Sequence, residues 1–171
     1  INVSITELGA RIRERARELD DLKKRNVLPD NKAAKRVADG AAEDMELYVQ
    51  RMLVDLPAIN AEYSSAMEKF GRMAMLSAAE FNEPTEDVKS LLATLQQSRS
   101  TITTTKDFVK GMRDAIAQTP RMTTAYNRAR KRAVAITDDF VSFLETADSQ
   151  TAEVESVVQN IVENRRRNPC P

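Results

Sequence analysis

The chain has 171 residues, with 26 basic and 26 acidic side chains and a formal net charge of zero, a length that suits one domain with a real core. It holds no His, no Trp and one Cys. On this chain alone that excludes a His-based acid–base pair, a Ser-His-Asp triad, a zinc finger, a Glu-x-x-His di-iron site and an internal disulfide. Four Gly leave nothing to build a Gly-rich phosphate loop or a dinucleotide fingerprint.

Hydrophobic residues at 42% and charged residues at 30% describe a soluble, folded chain, and the aromatic share is only 5%. Ala, Leu, Met, Glu, Arg and Lys dominate, which favours long helices. No stretch approaches the ~18 apolar residues of a membrane span, and no signal-peptide core is present. The balance tips slightly to the cytoplasm. The first residue, Ile1, reads as the start of a segment of a longer protein or of a processed product. Cys170 sits in the tail Asn168-Pro169-Cys170-Pro171 and reads as a mobile thiol.

Four helices are expected in chain order. Ser4-Ile5-Thr6-Glu7 is a capping box opening a helix over about 5–25. After the break at Val27-Leu28-Pro29, Asp30 or Asn31 caps a second helix over 31–81, kinked or split near Pro57. Asn82-Glu83-Pro84 ends it, and Thr85 with Glu86 and Asp87 opens a third over 86–118. Thr119-Pro120 supplies a cap and a first-turn proline for a fourth helix over 120–167.

The apolar positions sustain a 3.5-residue period. The second helix reads Ala38, Ala42, Met45, Val49, Met52, Leu56, Ile59, Tyr63, Ala66, Phe70, Met73. The third reads Val88, Leu91, Leu95, Ser98, Ile102, Thr105, Val109, Met112, Ile116. The fourth reads Met122, Tyr126, Ala129, Ala133, Ile136, Phe140, Phe143, Ala147, Gln150, Val154, Val157, Ile161. Such seams pack knobs-into-holes, and short connections make sequential helices antiparallel. The expected fold is an all-α, elongated antiparallel helical bundle of three to four long helices, one domain over 1–168 with a tail at 169–171.

Level counting makes the fourth helix overshoot the turn near Asn82. Val154, Val157, Val158, Ile161 and Val162 then have no partner within the chain, so self-association, a partner helix or a bend in the fourth helix is expected. Charge is segregated along the same helix. Arg121, Arg128, Arg130, Lys131 and Arg132 come first, then seven acids from Asp138 to Glu163 with no base between. Pairing with acids of the second helix or of a second copy is the favoured reading. Contact with nucleic acid or an anionic membrane is a weaker one, because so short a cluster makes few phosphate contacts and no stacking aromatics accompany it.

Adjacent carboxylates such as Asp138-Asp139 point about 100° apart on a helix and form no catalytic dyad. Ser98, Thr105 and Gln150 interrupt the seams. They either fix register or line a small polar pocket. The function expected is therefore non-enzymatic: a structural, scaffold or signal-relay module acting through coiled-coil-like contacts with a protein partner or with itself. No metal or cofactor is expected. The alternatives are a ligand-sensing four-helix bundle of a receptor, or nucleic-acid or membrane contact through the basic segments.

Overall fold

The computed structural model describes residues 4–26, 31–80 and 86–167. They form four helices: α1 (Ile5–Lys24), α2 (Lys32–Glu80), α3 (Glu86–Ala117) and α4 (Thr124–Arg167). The helices pack on one another as an all-α bundle, as the heptads predict. Thr85 and the tail from Asn168 to Pro171 lie outside the described residues.

Most helix ends follow the sequence logic. The Ser4 hydroxyl accepts from the Glu7 N–H at 3.1 Å. Of the two candidate caps before α2, Asn31 does the work, its Oδ1 accepting from the Ala33 N–H at 2.9 Å. Asn26, just past α1, takes φ 58° and donates its N–H to Lys23 at 3.0 Å, a left-handed closure that Asn tolerates.

The start of α4 is a correction. Thr119-Pro120 does not cap it; Thr123 does, accepting from the Tyr126 N–H at 3.2 Å. Thr119 belongs instead to the end of α3, its hydroxyl donating to the Ile116 carbonyl at 2.7 Å. The same oxygen accepts from the Tyr126 hydroxyl, and Arg130 donates to the Thr119 carbonyl at 2.5 Å. Residues 118–123 thus lie alongside the opening turns of α4, and the helix starts later than a tight turn would allow.

The chain divides into two compact units, Ile1–Pro57 with Asp107–Val141, and Ala58–Lys106 with Ser142–Pro171. The boundary in α2 falls at Pro57, yet α2 continues through it as one helix. A proline removes the hydrogen bond to the carbonyl four residues back. That residue, Leu53, is 55% exposed, where water can take the donor's place.

In the first unit, fifteen buried residues from all four helices form one core. Ala38, Ala41, Ala129 and Ala133 keep α2 and α4 close, and Tyr48 and Tyr126 fill the remaining space. Both phenols are satisfied. The Thr137 hydroxyl donates to the Ala133 carbonyl at 2.6 Å, which leaves Tyr48 as donor in its 3.1 Å bond to Thr137. Burial pushes the Tyr48 hydroxyl above its usual pKa, with the Thr137 bond opposing. Tyr126 is raised by burial as well, opposed by Thr119 and Arg130. Gly9 marks a close approach: a Cβ there would stand 2.9 Å from the Met112 sulfur, so that flexible side chain would have to shift.

The second unit has a smaller core cluster of Met67, Leu91, Leu95 and Val158. Tyr63 donates to the Ala147 carbonyl at 2.9 Å and meets Phe143 edge-on at 6.1 Å. Met67 receives the Thr151 hydroxyl at 3.8 Å, so α2 and α4 run in the same direction here. Arg99 of α3 reaches both Asp148 at 3.2 Å and Glu155 at 3.0 Å on α4.

Candidate interaction groove

A predicted overshoot of α4 is not what the second unit shows. Val158 is fully buried, and Val154, Ile161 and Val162 pack against the same core as Leu91 and Leu95. The Arg99–Glu155 pair sets residue 155 beside residue 99, so the end of α4 has the beginning of α3 as its neighbour. Of the five positions, Val157 alone is substantially exposed, at 41%.

Nine of the twelve α4 seam positions hold; in the first half Tyr126, Ala129, Ala133 and Ile136 are buried and Met122 is partly buried. Ala147 is buried and Phe140, Val154 and Ile161 are partly buried, as expected. The alternate positions are Thr137, Leu144, Thr151 and Val158, all buried, rather than Phe143, Gln150 and Val157. The two threonines tolerate burial because each hydroxyl donates to the carbonyl four residues back, Thr151 to Ala147 at 2.7 Å and Thr137 to Ala133. On α2 a similar shift replaces Ala66 by Met67 and leaves Met73 51% exposed.

These shifts build a groove of about 620 Å³ between α2 and α4 of the second unit. Met67, Glu68, Gly71, Arg72 and Met75 form one wall; Glu153, Val154 and Val157 form the other. Gly71 hollows the α2 wall, because a Cβ there would meet nothing within 4 Å. Met75 is 64% exposed beside it. The floor is apolar, with carboxylates on both walls and one guanidinium. Among the described residues, no ion pair engages Glu68, Arg72 or Glu153.

Comparison with known protein families, with characterised proteins and with solved structures returns no match.

The basic block of α4 is partly consumed within the first unit. Arg132 pairs with Glu46 of α2 at 2.6 Å, and Arg130 donates to Thr119. Arg128 and Lys131 stay exposed without an ion pair among the described residues. The acidic stretch likewise meets α3 arginines, Asp138 with Arg113 at 2.9 Å and Asp148 and Glu155 with Arg99.

The polar seam residues do not converge. Ser98 lines a shallow groove with Tyr63, Ser90, Thr94, Gln97 and Thr101, which includes neither Thr105 nor Gln150. Thr105 instead donates to the Thr101 carbonyl at 2.8 Å, and Gln150 is half-buried. Among the described residues no three carboxylates or thiols gather to hold a metal ion, and no helix is long and apolar enough to cross a membrane.

Sequence reasoning missed Met67, Gly71 and Met75. A signal was there: a glycine inside a helix, flanked four residues away on each side by methionines, marks a face with a gap in it.

Proposed function

We propose that this protein is a non-enzymatic helical-bundle interaction module, structural, scaffold-like or signal-relaying, that works by packing a further helix against its own. The α2–α4 groove carries this reading. Its floor is apolar and methionine-rich, its place between two helices suits a helix-in-groove contact, and Met75 and Val157 are left in water at its edge. Engagement of Arg130 and Arg132 within the chain leaves few cations for phosphate, which favours protein over nucleic acid.

The test is light-scattering mass after size exclusion, at low and high salt, for the native chain and for Met75→Glu with Val157→Glu. Both positions are exposed, so the fold should persist by circular dichroism while association is lost. Association unchanged by the two substitutions would move the interface elsewhere.

The groove's volume also lies in the range of small-molecule sites, which favours a ligand-sensing bundle as the second reading. A thermal-shift panel of apolar compounds tests it, since a ligand at 100 times its Kd adds about 2.7 kcal/mol.

A further inference from the structure

We infer that the occupant of the α2–α4 groove is α2 of a second copy of this chain, laid antiparallel about a two-fold axis near residue 70. This rests on the interaction-module reading and names its partner. The argument is charge complementarity. Glu68 and Arg72 lie on the groove face of α2, four residues apart. An antiparallel copy centred between them sets Glu68 against Arg72 of the second copy and Arg72 against Glu68 of the second copy, two reciprocal pairs from one surface. A parallel copy would set like against like, Glu68 on Glu68 and Arg72 on Arg72, which is repulsive.

The other wall agrees. The Met67–Thr151 contact fixes the level of α4 beside α2, and Glu153 stands about one position beyond Glu68 on that scale. Arg72 of the second copy therefore arrives between two carboxylates, Glu68 on one wall and Glu153 on the other, neither of which is ion-paired among the described residues. Gly71 next to the axis has open space where a Cβ would be, so the two helices can approach at the short end of the usual interaxial range. Met67 and Met75 on either side are flexible enough to interdigitate with their own copies.

Charge reversal on the full chain tests this without depending on an untouched fold. The native chain is expected at the mass of a dimer, with association weakened by salt. Glu68→Arg alone and Arg72→Glu alone should each run as a folded monomer. Mixed in equal amounts, they should recover the dimer, because each copy then supplies the charge that the other lacks. The double variant Glu68→Arg with Arg72→Glu should dimerise by itself, less tightly than the native chain because Glu153 then faces a carboxylate. A native monomer, single variants that stay dimeric, or a mixture that fails to associate would each overturn the inference.

A second arm separates this failure from failure of the groove itself. An uncharged solvatochromic dye is titrated against the native chain and against Gly71→Phe, which fills the hollow. A native monomer that binds the dye, with binding lost in Gly71→Phe, rejects the second copy but keeps the groove as a contact surface. A native monomer with no dye binding rejects both.

Discussion

The two units solve one packing problem with different means. In the first, α1 joins α2, α3 and α4, and fifteen buried residues close a continuous core. In the second, the described residues supply three helices, and the core cluster has four buried residues. The same helix, α3, shows what this does to sequence. In the first unit it buries Val109, Met112 and Ile116. In the second it buries Leu91, Leu95 and Ile102 but turns Ser90, Thr94, Gln97 and Thr101 outward. Thr94, Thr101, Thr104 and Thr105 bond their hydroxyls to carbonyls four residues back. A helix face without a packing partner is thus closed on itself by hydroxyls, not left apolar.

The largest expected effects test this contrast directly. Ile12→Ala empties a fully buried site among four helices and should cost about 2–5 kcal/mol, read by denaturant unfolding. Leu95→Ala in the second unit should chiefly raise amide exchange over 58–80, 86–106 and 142–163, whose protection should already be the lower of the two in the native chain. Equal native protection in both units would break the comparison.

Alkaline pH supplies a second test. All three tyrosines have raised pKa values: Tyr48 and Tyr126 by burial in the first unit, Tyr63 by burial and then by the Asp148 charge in the second. A raised acid counts against the folded state once the pH reaches the range in which the unfolded phenol ionises. The unfolded phenols lose their protons first, so stability is intact below pH ~10 and falls as pH climbs above it. Phenolate absorbance should therefore rise together with loss of helix. Tyrosine ionisation completed before any unfolding would contradict the burial described.

Smaller changes sharpen the picture of the second unit. Gly71→Ala adds a helix-favouring side chain in open space and should stabilise the single copy by about 0.5–1 kcal/mol, while weakening the close approach of a second copy. Arg99→Ala removes the clamp on Asp148 and Glu155. Its side chain is 41% exposed, so the loss should stay at or below ~1 kcal/mol. Equilibrium unfolding of each variant checks both.

The helices were legible in the sequence because caps, prolines and heptads are local signals. The second half of the α4 seam was not. Leu144 and Val158 compete with Phe143 and Val157 one position away, and hydropathy does not choose between them. Thr137 and Thr151 would have decided the matter, but a threonine reads as polar until its hydroxyl is seen bonded to its own helix. The start of α4 failed for a related reason. Thr119 and Thr123 are both good caps, and the Tyr126 and Ile116 contacts that claim Thr119 are tertiary. The groove was hidden because a glycine's missing side chain matters only once its neighbours are known.

The distribution of methionine has a chemical consequence. Met45, Met52 and Met112 are sealed in the first core, whereas Met73 and Met75 stand 51% and 64% exposed on α2 of the second unit. Peroxide converts accessible thioethers to sulfoxides first, turning an apolar side chain into a polar one, and reductases reverse the change. The groove wall bearing Met75 thus has a polarity that an oxidant can alter while the first core keeps its own.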